Sequence, residues 1–232
     1  MSDTARPASL PAFAALLGRE FRVELRTKSL ITSMGLFAAL CVVIFGLGVK
    51  GLMLDDTFRR FVLAALWVCS WFAAVVGLNR AASADRNKGF FSALMLIPHD
   101  PALVYAVRLV AAMLWLVLTQ ALMIVLAVPM LRFDFFDQPL MLGVLVMSDL
   151  GVLAPGVLLA SATGRARGGE ALLTIALLPV TVPVFLGATG ATEAMHTGTG
   201  SAEAMPFVLL LAVCDAMFLA IGLLLFGKLN EG

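Results

Sequence analysis

The stretch that decides the fold is "SLITSMGLFAALCVVIFGLGV", from Ser29 to Val49, an apolar run without a single charged residue. A membrane-spanning helix needs about 20 consecutive, mostly apolar residues, and this run meets the requirement on its own. Backbone polar groups in lipid must be satisfied within the protein, so such a span is expected to be a helix. By the same criterion we predict six spans, at 29–49, 58–78, 102–131, 139–163, 171–188 and 205–226.

The composition points to the same class of protein. Of the 232 residues, 61% are hydrophobic and 13% are charged, whereas soluble domains carry about 25% charged residues. We therefore predict an all-α integral membrane protein with one domain, 1–232, and no nucleic-acid partner. Cys41, Cys69 and Cys214 all lie within apolar runs, and no CxxC or Cys/His spacing indicates a metal site.

The distribution of basic residues between the loops predicts the orientation of the spans. All but four of the 16 lysines and arginines fall in the N-terminal segment, the second loop, the start of span three, the fourth loop or the tail. The four on the other side are Lys50, Arg59, Arg60 and Arg132. We therefore expect both termini to be cytoplasmic.

The segment before the first span is predicted to be an interfacial helix over 11–28. Arg19, Arg22 and Arg26 share one helical face, which suits a helix lying along the membrane surface. Glu20 and Glu24 intrude on its apolar side, so the amphipathicity is only moderate. A plain positively charged anchor remains the alternative.

A second short helix is predicted on the cytoplasmic side, in "ADRNKGFFSALMLIPHD" (84–100). Phe90, Leu94 and Ile97 share a face, and Pro98 ends the periodic pattern. A return loop needs no such apolar face, so either lipid or a groove on a partner protein is expected to cover it. The residues alone do not choose between these two.

A resemblance favours the partner protein. The order of "GREFRVELR", a first span and "LNRAASADRNKGFFSALMLIPHD" resembles permease subunits of ABC-2 type transporters, in which a helix after the second span docks on a separate ATPase. The chain as a whole resembles the haem exporter protein B (CcmB) family of cytochrome c maturation. The pieces that carry this resemblance are "LLGREFRVELR", "LWVCSWFAAVVGLNRAASADRN", "ALMLIPHDPALVYAVRL", "LLPVTVPVF", "GATEAM" and "CDAMFLAIGLLLF". The chain departs from the E-x-x-G-x-x-E pattern common in ABC-2 loops, because only Asp85 lies near Gly89.

The resemblance implies a permease subunit in the bacterial inner membrane, with a cytoplasmic coupling helix over 85–98. Its implied partners are a CcmA-like ABC ATPase, a haem-handling CcmC-like protein, a small CcmD-like subunit and membrane lipid. Haem is implied as a possible cargo, ATP is expected in the partner subunit, and no cofactor is assigned to this chain. The expected ATPase-coupling interface comprises Arg19, Arg22, Arg26, Asp85, Arg86, Lys88, Phe90, Phe91, Leu94 and Pro98.

The chain has no GxxxxGK[ST] pattern, so we expect a transporter subunit without an ATPase site of its own rather than an enzyme. Asp149 and Asp215 lie within spans, where an unpaired charge costs about 2.5–3.5 kcal/mol on insertion scales. They are interpreted either as contacts between helices or as part of a polar path or partner interface.

Several other residues within or beside the spans can be interpreted in two ways. Pro179 and Pro183 predict a bent or broken fifth span. His99 and His196 could bind haem iron in principle, but neither has a second ligand nearby in the sequence. The tryptophans inside the spans are expected to pack, with a haem or lipid face on span two left open: Trp67, Trp71 and Trp115.

Two alternative functions remain at this point. One is an ABC-2 permease for another cargo, such as a lipid, a drug or a polysaccharide. The other is a stand-alone secondary transporter, which would need internal repeats and coupling-ion ligands at mid-membrane. The sequence offers two isolated acids and no convincing repeat.

Overall fold

The computed structural model describes residues 10–48, 56–87, 100–131, 140–163, 168–196 and 201–230, and these form seven helices and no strands. Six of the seven are long and apolar enough to cross a membrane, which confirms the predicted all-helical membrane fold. The helices are α1 (Leu10–Thr27), α2 (Ser29–Gly48), α3 (Asp56–Asn87), α4 (Pro101–Leu131), α5 (Leu140–Thr163), α6 (Gly169–His196) and α7 (Ser201–Asn230).

The spans differ in how deeply they lie within the bundle. In α3 and α5, 72% and 67% of the most apolar stretch is buried, against 22% in α2 and 28% in α7. The peripheral helices carry rows of exposed large apolar side chains at helical spacing, such as Leu36, Leu40 and Ile44 on α2. An apolar surface of this extent suits contact with lipid rather than water. Thus α3 and α5 form the centre of the bundle.

Close helix packing depends on glycine at the contact between α4 and α7. A side chain at Gly222 would collide with the ring and hydroxyl of Tyr105, which is fully buried. Tyr105 also packs on Phe226, with ring centroids 5.5 Å apart, and its hydroxyl donates to the Ala154 carbonyl of α5 at 3.0 Å. Small residues commonly allow such close approach between membrane helices. Tyr105 therefore links three spans.

The boundary between α1 and α2 is a single left-handed residue followed by a new helix. Lys28 has φ of 52°, which ends α1, and its N–H donates to the Glu24 carbonyl at 2.6 Å. The carboxylate of Glu24 then accepts from the N–H groups of Leu30 (2.6 Å) and Ile31 (3.2 Å), so it caps the first turn of α2. A helix N-terminus favours a negative charge of this kind. Glu24, which interrupts the apolar side of α1, thus caps the first span.

The fifth span is not broken at its prolines. The helix α6 runs continuously through Pro179 and Pro183. Between them, the Thr181 hydroxyl donates to the Leu177 carbonyl one turn back, at 3.0 Å. The two prolines are therefore accommodated within one continuous helix, so the span is bent at most and not broken.

Candidate functional site

The predicted basic face of α1 points outward. Arg19, Arg22 and Arg26 are all exposed, and the Arg22 side chain also donates to the Gly18 carbonyl at 3.1 Å. On the opposite side, Phe21 packs on Trp115 of α4, with ring centroids 4.8 Å apart. This contact holds α1 against the bundle and leaves the arginines accessible to lipid headgroups or a partner.

The end of the second span is tied to the beginning of the third by an ion pair. Asp85, near the end of α3, accepts from the guanidinium of Arg108 on α4 at 2.7 Å, and the two side chains are only 16% and 14% exposed. Asp85 was predicted at the ATPase interface, and its carboxylate is engaged within the chain. The pair joins the two helices that flank residues 88–99.

Several predicted site residues lie outside the described part of the chain. The backbone of Arg86 belongs to α3 and that of His196 ends α6, but their side chains lie outside it. The predicted coupling helix is described only over 85–87, where it continues α3 without interruption. The remaining residues of this set, also outside the description, are Lys88, Phe90, Phe91, Leu94, Pro98 and His99.

Asp149 lies in a buried polar cluster between three spans. Its Oδ1 accepts from the side-chain amide of Gln120 at 2.6 Å, and the same amide nitrogen donates to the Ser70 hydroxyl. Asp149, Gln120 and Ser70 are 2%, 4% and 6% exposed. The cluster therefore joins α3, α4 and α5 in the centre of the bundle, and it fits the interpretation of Asp149 as a contact between helices.

Part of this cluster faces a cavity of about 20 Å³. Ser70, Ser148 and Asp149 line it, together with Trp67 and Trp71. Within the described residues, Ser148 Oγ, Asp149 Oδ2 and the Gln120 amide oxygen have no hydrogen-bond partner. A cavity of this size is large enough for one water molecule. Such a water would supply partners that buried polar atoms require.

The second intramembrane acid occupies a different contact. Asp215 on α7 is 6% exposed, and its Oδ1 lies against Gly151 of α5, where an added Cβ would come within 2.9 Å. That oxygen also has no hydrogen-bond partner among the described residues. Asp215 thus faces the bundle interior, as an acid within a span is expected to do.

A row of four side-chain hydrogen bonds joins α3 to α6, and we call it the polar seam. Its four pairs are Trp67–Thr192 (3.1 Å), Trp71–Thr181 (3.0 Å), Asn79–Thr174 (3.3 Å) and Ser83–Glu170 (2.6 Å). In every pair α3 supplies the donor and α6 the acceptor. The three threonine hydroxyls meanwhile donate to carbonyls of their own helix. The seam therefore fixes the second span against the fifth along most of their length.

The seam also answers the question left open for the tryptophans of span two. Trp67 and Trp71 are 6% and 5% exposed, and each indole N–H has a threonine acceptor. They face α6 rather than lipid. Trp115 is equally buried, at 7%, and packs on Phe21.

We expect the Trp71–Thr181 pair to show a measurable coupling energy. Trp71→Phe removes the donor and Thr181→Val removes the acceptor, so the double variant should be more stable than the sum of the single losses predicts. The coupling should be about 0.6 kcal/mol, and at most about 1.7 kcal/mol, the range found for hydrogen bonds between membrane helices. Unfolding in mixed detergent and SDS micelles measures it. The matched control combines Thr181→Val with Trp115→Phe, a pair that shares no hydrogen bond. Equal coupling in both cycles would contradict the seam.

Sequence reasoning missed most partners of these polar groups. Gln120, Ser70 and Ser148 were not selected, although Gln120 is a conspicuous amide in the long apolar run of span three. The threonines of α6 carried no signal, because threonine is tolerated in membrane helices by bonding to its own backbone. The role of Arg108 as the partner of Asp85 was also missed.

The fold and these contacts define a class: a multi-pass helical membrane protein with a polar interior, a short first helix whose Glu24 caps the first span, and no metal-binding cluster among the described residues. The sequence pattern of the CcmB protein family matches residues 11–226, so the chain belongs to the CcmB family. Two similar proteins are both named "Heme exporter protein B". The one from Pseudomonas aeruginosa is 27% identical over 82% of this chain and 84% of its own length. The one from Paracoccus denitrificans is 28% identical over 89% of this chain and 93% of its own length.

Proposed function

We propose that this chain is the membrane permease subunit of an ABC-type complex for c-type cytochrome biogenesis. A separate cytoplasmic subunit hydrolyses ATP, and hydrolysis drives either haem export or the release of a haem-loaded chaperone. The observation that carries the proposal is the CcmB family match over 11–226, which includes the first five spans, the loops and all but the last residues of the sixth span. The names of the two similar proteins give haem as the cargo to test first.

The arrangement of the helices supports a route for mechanical coupling. The helix α1 rests on α4 through Phe21 and Trp115, and the end of α3 is tied to α4 through Asp85 and Arg108. A force applied by the ATPase to α1 and to residues 85–98 would therefore reach α3 and α4 together. The polar seam would carry the displacement from α3 to α6. In this proposal the first, second and fifth spans tilt as hydrolysis proceeds.

The expected topology completes the proposal. Both termini and the segment 85–98 face the cytoplasm of the bacterial inner membrane, where the ATPase is available. The CcmC-like and CcmD-like subunits contact the spans from within the membrane. Exposed apolar rows on α2, α6 and α7 are available to lipid and to such partners.

Charge placed on the apolar face of the coupling segment should release the ATPase. Phe90→Asp and Leu94→Asp are each expected to lower recovery of the ATPase with the tagged chain at least tenfold, since loss of a central apolar contact typically costs about 2 kcal/mol or more. Phe90→Leu is the matched control, because it keeps an apolar side chain at the same position. Membrane levels of each variant are measured in parallel. Undiminished recovery of the ATPase in both Asp variants would count against docking at this segment.

The cargo is tested separately by deletion. Cells lacking the chain should lose covalently haem-stained c-type cytochromes while retaining b-type cytochromes, and the wild-type gene should restore them. Intact c-type cytochromes after deletion would redirect the search to an ABC-2 permease for another cargo. Transport that persists without any ATPase would point instead to a secondary transporter.

A further inference from the structure

A cavity of about 340 Å³ lies under α1, between the starts of α2 and α4 and the end of α3, and it reaches down to α5. Its volume falls in the range of small-molecule sites, which is about 300–1,000 Å³. The inner wall is apolar and includes Met34, Trp115, Leu153 and Val157. The outer wall carries five charged side chains, Glu20, Glu24, Arg80, Asp85 and Arg108. The cavity therefore combines a charged mouth with an apolar interior.

Three of the five charges already have defined roles. Glu24 caps α2, and Asp85 pairs with Arg108. The other two, Glu20 on α1 and Arg80 on α3, have opposite charge and line the same cavity. Within the described part of the chain they form no ion pair with each other or with another residue. As far as the described residues go, the mouth thus presents one unpaired carboxylate and one unpaired guanidinium.

We propose that this cavity binds a zwitterionic phospholipid with a primary amine in its headgroup, of the phosphatidylethanolamine type. The phosphate would pair with Arg80, because a guanidinium matches phosphate geometry well. The ammonium group would donate to Glu20, and part of an acyl chain would fill the apolar interior beside Trp115.

The charges at the mouth distinguish this occupant from the alternatives. An anionic lipid would satisfy Arg80 but would leave Glu20 facing a headgroup without a cation. A quaternary choline headgroup carries the positive charge but has no N–H to donate. A water-soluble zwitterion would leave the apolar wall unfilled. A primary-amine phospholipid is the class that uses both charges and the apolar interior.

Quenching of Trp115 by brominated acyl chains tests the proposal in the full-length chain. The protein is placed in phosphatidylcholine nanodiscs that contain equal fractions of brominated phosphatidylethanolamine, brominated phosphatidylglycerol or brominated phosphatidylcholine. The signal of the Trp115→Phe variant is subtracted to isolate Trp115. We expect phosphatidylethanolamine to associate about two- to fivefold more strongly than either other lipid, the scale of partly exposed ion pairs.

Two substitutions separate the contributions of the headgroup. Glu20→Gln should abolish the preference for phosphatidylethanolamine over phosphatidylcholine, and Arg80→Gln should lower association of both. Glu203→Gln, an exposed acid on α7, is the control and should change nothing. Ala112→Phe, which fills the cavity, should reduce quenching by every lipid. Equal quenching by phosphatidylethanolamine and phosphatidylglycerol, or a preference unaffected by Glu20→Gln, would overturn the proposal.

Discussion

Replacing Arg108 by aspartate should destabilise the folded chain by about 3 kcal/mol, and exchanging the pair, with Asp85→Arg in the same chain, should restore most of that loss. The single variant leaves two carboxylates facing each other at the contact between α3 and α4, where the present side chains are only 16% and 14% exposed. Removing one partner of a buried ion pair typically costs 3–5 kcal/mol, and the residual exposure places this pair at the lower end. Unfolding of the purified chain in mixed micelles measures both changes.

The control for this experiment is Arg26→Asp, which makes the same substitution at an exposed arginine of α1. It should alter stability by no more than about 0.5 kcal/mol. The exchange variant also tests function, because the ion pair flanks residues 88–99 and ATPase binding can be measured in the same variant. Recovery of stability together with recovery of ATPase binding would link the pair to the position of that segment. An exchange variant as unstable as Arg108→Asp would show that the ion pair is not the interaction lost.

The number of spans and their helical structure could be predicted because a bilayer requires long apolar segments, and these are visible in the sequence. Each apolar run had to be about 20 residues long with few charged residues, and all six such runs are helices in the structure. Hydropathy gave no comparable information about position within the bundle. Polar residues gave none either, since Thr174 and Thr181 lie in α6 and Asp215 in α7, whose most apolar stretches are only 33% and 28% buried.

The interior contacts could not be predicted because they join residues far apart in the chain. Trp67 bonds to Thr192 and Trp71 to Thr181, across 125 and 110 residues. Packing of these tryptophans was expected, but nothing local selects the acceptor. A donor-only indole inside a membrane does predict that some acceptor exists, because an unpaired N–H in lipid is costly.

The roles of the two acids of α1 could not be predicted from the sequence of α1. Glu20 and Glu24 weakened the predicted amphipathic face, and on that basis α1 could equally have been a simple anchor. In the structure Glu24 caps α2 and Glu20 lines the cavity. Both roles depend on the turn at Lys28 and on the packing of α1 against α4, which the periodicity of α1 alone does not contain.

Gln120→Leu should destabilise the chain by about 2 kcal/mol, because it removes the donor to both Asp149 and Ser70 in the bundle centre. A buried acceptor that loses its partner typically costs 1–3 kcal/mol, and more if it is charged. Adding Asp149→Leu should then recover much of the loss, since replacing both partners by apolar groups of similar shape can be nearly neutral. Unfolding in mixed micelles and the level of each variant in the membrane measure the effect.

Comparison with Asp215→Leu decides whether Asp149 serves as a structural contact between helices or takes part in transport. Among the described residues no side chain donates to Asp215 Oδ1 as Gln120 does to Asp149, so Gln120→Leu and Asp215→Leu should have additive effects on stability. A non-additive recovery confined to Gln120 and Asp149 would establish the cluster as a structural contact between α4 and α5. If the stable double variant also supports normal c-type cytochrome levels, the cluster holds helices together and no transport step requires its carboxylate. A stable double variant without c-type cytochromes would instead assign the carboxylate to the transport cycle.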